Sequence, residues 1–168
     1  MKRLIIFTVF VALLVCLTGC NKQEFQIPAN FYYPRAEYAY HTSDGVIAPE
    51  VREVYGYHSE KQILAIYLYG PVANSLVNPF PSGTQVVDVV KADNSVCITL
   101  SDQFAKLTGA QLMLASASLA KTAMELTGVS FVRLQCSSQP LDGEQFILID
   151  KATILYLDDI ATHTERIQ

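Results

Sequence analysis

Tryptophan is absent, and histidine occurs three times in 168 residues, at His41, His58 and His163. Histidines so far apart, with no HExxH and no CxxC, lack the spacing of a zinc site. Charged residues make up only 17% of the chain, the net charge is −4, and no basic cluster follows Lys2 and Arg3. That balance excludes the phosphate neutralisation on which nucleic-acid binding depends, and it excludes a polybasic grip on anionic lipid. No glycine-rich phosphate loop and no GxSxG elbow is present. The stretch SLAK, Ser118 to Lys121, has the Ser-x-x-Lys spacing, but it falls within a helical pattern and no KTG or downstream SDN accompanies it, so Ser118 reads as a small packing residue. No catalytic residue, metal or cofactor is expected.

Long apolar runs are also scarce. The one at the start, Leu4 to Val15, follows Lys2 and Arg3 and ends in small residues before Cys20. This is the order of an export signal, and the uncharged stretch is just short of the roughly 20 residues that span a bilayer. LTGC resembles the lipobox of bacterial lipoproteins, which implies cleavage between Gly19 and Cys20 and a diacylglycerol on the Cys20 thiol. Two acyl chains give stable anchoring where one does not. The expected organisation is a signal peptide over 1–19, a tether over 20–28, a domain over 29–150 and a C-terminal extension over 151–168. The mature chain would be extracytoplasmic, lipid-anchored to the cell membrane and of formal charge −6 after loss of Lys2 and Arg3.

With Cys16 removed and Cys20 lipidated, Cys97 and Cys136 remain. In VCITL the apolar set Val96, Ile98 and Leu100 points Cys97 the other way, whereas Val132, Leu134 and Cys136 share a face. Two free thiols are expected.

Alternation and capping signals predict the rest. FYYP reads as a strand and VIAPEVREVYGY as an extended piece. Ser59 with Gln62 forms a capping box before ILAIYLYG, which Gly70 and Pro71 stop. TQVVDVV, the turn KADN and SVCITL form a hairpin, and Ser101 is placed to cap a short turn through Phe104. A helix runs from Ala110 to about Leu126, with small residues that suit close packing on a sheet. Strand VSFVRLQC follows, and PLDG turns it back into EQFILI. The fold class is α+β: a small mixed or antiparallel sheet with two main helices on one face.

Aromatic residues crowd around Phe31, with Tyr32, Tyr33, Tyr38 and Tyr40 as a candidate binding surface for sugar rings or a protein partner. Packing of alternate members into the sheet is the competing reading.

In order, FYYPR, IAPEVREV, LYGP, PFPSGTQVVDVV, SVCITLSDQF, SLAKTAMEL and GVSFVRLQC resemble the GerM or germane domain of sporulation and spore germination, over about Phe31 to Cys136. The resemblance implies an α+β fold akin to the ring-building domains of secretion machines, and a non-enzymatic envelope module with no catalytic residue to carry over. The founding member assists a secretin-like channel between mother cell and forespore and has two such domains, where this chain has one. The expected function is therefore a lipid-anchored adaptor with an envelope protein partner, self-association being open. The alternative is a lipoprotein that binds cell-wall glycan or a small ligand.

Overall fold

The computed structural model describes residues 26–36, 45–56 and 58–158, so Cys20, Tyr38, Tyr40, His41 and His163 lie outside the described residues. The elements run β1 (Gln26–Pro34), β2 (Ile47–Tyr55), α1 (Glu60–Leu68), β3 (Val86–Ala92), β4 (Ser95–Leu100), a 3-10 turn (Phe104–Lys106), α2 (Gly109–Thr127), β5 (Phe131–Cys136), β6 (Ile147–Asp150) and α3 (Lys151–Asp158). The class is α+β. The strands divide between two sheets, an antiparallel β1-β2 pair and a four-stranded sheet in the order β3-β4-β5-β6. Within the latter, β4 and β5 are parallel, which requires the long crossover that α2 provides, and the other pairs are antiparallel.

Two boundaries move. β1 begins at Gln26, paired with Tyr55, so residues 26–28 belong to the sheet rather than to the tether. Part of the C-terminal extension joins the domain as α3. Asp150 starts that helix by accepting from the Thr153 amide and hydroxyl, both at 2.7 Å, and Ile154 is buried against the core.

The expected hairpin forms, with Asp93 at φ 49°, a left-handed conformation that aspartate tolerates in a tight turn. Ser101 acts differently from the capping role read in the sequence. Its hydroxyl accepts from the Gln85 amide at 2.9 Å, and its carbonyl, not its side chain, receives the Phe104 amide. PLDG closes a small turn in which Leu141 and Glu144 exchange backbone bonds, but β6 starts later, at Ile147.

The inner face of the larger sheet, Val96, Ile98, Leu100, Val132 and Leu134, is fully buried in one core with Leu112, Leu119 and Ala123 of α2. An amphipathic helix usually buries one stripe. In α2, six consecutive residues, Ala115 to Ala120, are all buried. Five of them are alanine or serine, and this slim section lets β1 approach one side of the helix while β5 and β6 cover another. Gly128, at φ 74°, ends the helix, and Lys91 Nζ donates to the Thr127 carbonyl at 2.6 Å.

Two tyrosines fasten the hairpin to α1. Tyr33 Oη donates to the Tyr67 carbonyl at 2.6 Å, and Tyr67 Oη donates to the Tyr32 carbonyl at 2.7 Å. Their rings stack at 4.7 Å, and Phe31 and Phe80 pack on the Tyr67 ring at 5.5 and 5.3 Å. Burial pushes both phenols well above the usual tyrosine range.

β2 secures the loop after α1. Arg52 Nη2 donates to the Gly70 carbonyl at 2.5 Å, and Glu50 Oε1 accepts from the Val72 and Ala73 amides at 2.9 and 2.7 Å. Partial burial of Glu50 disfavours its charge, but the Ala73 amide, the Arg52 guanidinium and the Val72 amide outweigh it and hold the carboxyl below its usual range. Gly70 is required twice over: φ is 96°, and a Cβ would sit 2.7 Å from Asn78 Nδ2.

Replacing Tyr67 with Phe keeps the ring cluster and removes the buried hydrogen bond to the Tyr32 carbonyl, an expected loss of about 1–2 kcal/mol in urea unfolding. Tyr67→Ala also opens a cavity and should cost about 3–5 kcal/mol. Equal losses for the two variants would show that the hydroxyl, not the ring packing, carries the tyrosine's contribution.

Candidate interaction surface

Alternation leaves one face of the four-stranded sheet turned to solvent. The register sets Val90, Cys97, Arg133 and Leu148 side by side across all four strands, with Phe131 in the neighbouring row. Val90 and Leu148 are 54% and 58% exposed, and Phe131 and Phe146 are also exposed. The Arg133 guanidinium lies 3.9 Å from the Phe146 ring centroid, held by cation–π attraction. Gln135 Nε2 donates to Thr99 Oγ1 at 3.1 Å along the same face. An arginine stacked on an aromatic ring among aliphatic neighbours is the composition that concentrates binding energy at protein interfaces.

A groove of about 330 Å³ lies where β1, α2 and α3 meet, lined by Tyr32, Lys121, Met124, Glu125, Lys151 and Ile154. Its volume is at the small end of ligand sites. Glu125 accepts hydrogen bonds from Tyr32 Oη and Asn30 Nδ2, which fix its carboxylate, and Lys121 Nζ is 5.0 Å from the Tyr32 ring centroid. Met124 and Ile154 form a buried apolar floor.

Of the four tyrosines expected at a binding surface, Tyr32 lines this groove and Tyr38 and Tyr40 lie outside the described residues. Tyr33 is a correction. It is fully buried, because strand alternation turns it with Phe31 into the core while Tyr32 points the other way. Ser118 is also buried, and its Oγ donates to the Leu114 carbonyl at 2.8 Å, as a packing residue does. A ring nitrogen of His58 meets the Tyr55 carbonyl. Cys97 and Cys136 are free, on opposite faces of adjacent strands. Burial, and then the nearby Asp102 charge, push the Cys136 thiol up to about 11.

Sequence reasoning missed Arg133, Phe146, Leu148, Lys121 and Glu125. For the first three a signal existed: in FVRLQC and FILI the residues between the buried ones must face outward. Nothing local marks Lys121 and Glu125, which become neighbours of Tyr32 only when α2 docks beside β1.

Fold and surface define a small α+β module whose sheet is covered on one face and open on the other. The family model described as Germane, sporulation and spore germination, matches residues 30–142, and the chain belongs to that family. Among solved structures, it is similar to the tandem GerMN domains of the sporulation protein GerM from Bacillus subtilis, with a TM-score of 0.59 and 17% identity over 81% of this chain. The match covers 49% of that protein, so the chain spans about half the length of the tandem pair. It is similar also to the first GerMN domain of the same protein, with a TM-score of 0.53 and 14% identity, covering 74% of this chain and 95% of that one. Comparison with curated proteins finds no match.

A thiol titrating near 11 is about one part in a thousand thiolate at pH 8, and that fraction rises tenfold per pH unit. Alkylation of Cys136 by iodoacetamide, followed by peptide mass spectrometry, should accelerate about tenfold per unit from pH 8 to pH 10. A plateau below pH 9 would contradict this environment for the thiol.

Proposed function

We propose that this protein is a non-enzymatic, lipid-anchored envelope adaptor that works in sporulation or spore germination by holding another envelope protein. The observation that carries the reading is the open sheet face, where Val90, Phe131, Arg133, Phe146 and Leu148 offer apolar area around one stacked guanidinium. Membership of the Germane family supports the cellular setting, and the similarity to GerM of Bacillus subtilis supports the module's shape. The lipobox supports the anchor. A diacylated Cys20 would confine the domain to one membrane plane, outside the cytoplasm, and raise its effective concentration toward partners in that plane.

Perturbed ionisable groups often mark catalytic sites. Here burial in the core raises the Tyr33 and Tyr67 phenols, and the bonds that hold the loop after α1 outweigh partial burial to lower Glu50, which supports a structural reading of all three. A second reading, binding of a wall glycan fragment or small ligand, is favoured by the groove at Tyr32. Saturable quenching of tyrosine fluorescence by muropeptides, abolished by Tyr32→Ala, would support it.

Cys20→Ala should move the protein from the membrane to the soluble fraction with the domain folded. Arg133→Glu combined with Leu148→Asp should keep membrane retention and thermal unfolding near those of the parent. It should also remove crosslinks formed from Cys97 to a partner by a short thiol-specific reagent. Retention of Cys20→Ala on the membrane sinks the anchor, and persistence of the crosslinks in the double variant sinks the sheet-face reading.

A further inference from the structure

The β1-β2 pair has two outer edges, and they are treated differently. Proline at position 49, opposite Tyr32, has no N–H to give to β1, so this pair and those in phase with it point their backbone groups outward. On the β1 side these groups are engaged from Tyr32 to Ala36. The Tyr32 amide donates to Thr122 Oγ1 at 2.9 Å, and the Tyr32 carbonyl accepts from Tyr67. The Pro34 carbonyl accepts from the Val77 amide at 2.8 Å, and the Ala36 amide donates to the Ser75 carbonyl at 2.8 Å.

On the β2 side, the outward groups in phase belong to Pro49, Val51, Glu53 and Tyr55. All four residues are exposed, Val51 at 65%, and no described residue pairs with the Val51 or Glu53 backbone. Natural sheets usually protect a long edge with lysine, a covering helix or a bulge. Among the described residues no helix covers the β2 edge, its nine residues include neither a lysine nor a bulge, and its single proline blocks one donor only.

We propose that the outer edge of β2 receives an extended segment of another protein, which adds to the hairpin as a third, antiparallel strand. The segment would exchange backbone bonds with Val51 and Glu53, place an apolar side chain opposite Val51 and a basic one opposite Glu53. A second copy of this chain fits poorly. Centring β2 on itself at Val51 sets Pro49, without a donor, opposite Glu53 twice. Centring it at Arg52 opposes two guanidinium groups, and at Glu53 two carboxylates. The edge is separate from the open sheet face, so either surface can act without the other.

The test uses the full-length lipidated protein in detergent micelles and a nine-residue peptide alternating valine and threonine, with one lysine set opposite Glu53. In the protein alone the Val51 and Glu53 amides should exchange with solvent without protection, and the peptide should slow both at least about tenfold. Val51→Pro removes an outward amide that β1 does not use, and it should weaken peptide binding about tenfold. Glu53→Lys should weaken this peptide and favour one carrying glutamate instead, which keeps the proposal testable if Val51→Pro fails to fold. Arg133→Glu should have no effect. Protection of both amides in the protein alone would overturn the proposal, because the edge would then be covered already. Absence of peptide binding, or binding indifferent to Val51→Pro and to Glu53→Lys, would overturn it as well.

Discussion

The reciprocal bonding of Tyr33 and Tyr67 is the constraint on which the rest of the fold depends. Each phenol is fully buried, and a buried hydroxyl without a partner is costly. Each finds its acceptor on the backbone of the other's element or next to it, so hairpin and helix can close only in one relative position. With that position set, Phe31 and Phe80 complete the aromatic cluster, and the loop after α1 comes within reach of Glu50 and Arg52.

The same docking explains why α2 is built from small residues. β1 reaches Thr122 through the Tyr32 amide, and the larger sheet must still pack its Val, Ile and Leu face on the helix. Larger side chains at Ala115, Ala117 or Ala120 would separate these layers, since interiors are packed too densely to absorb extra volume. The central helix therefore joins two sheets that share no strand. The open sheet face and the outer edge of β2 are what remain once this core is satisfied.

Three of the motifs that carry the family likeness include connections between elements. LYGP places Gly70 where a Cβ would strike Asn78. PSGT is a turn in which the Thr84 amide and hydroxyl both donate to the Pro81 carbonyl, at 3.1 and 2.8 Å. In ITLSDQF, Ser101 takes the Gln85 amide and Asp102 takes the amides of Ser138 and Gln139. These residues set the angles between elements, which hydrophobic substitutions leave unchanged. A likeness built on them can persist where overall identity to similar folds is only 14–17%.

What depends on neighbours in the chain was legible in the sequence by itself. The capping box at Ser59, the hairpin turn at Asp93, the end of α2 at Gly128 and the inward set Val132, Leu134 and Cys136 follow from residue type and period alone. The α+β class follows from their order. What depends on distant pairs was decided by the tertiary structure. Whether the strands form one sheet or two, and whether Tyr33 packs inside while Tyr32 meets Glu125, turns on contacts some 34 to 93 residues apart in the chain. Periodicity can say that a residue points to one side of its strand. Only the packing of β1 against α1 and α2 determines which side is the core and which becomes a surface.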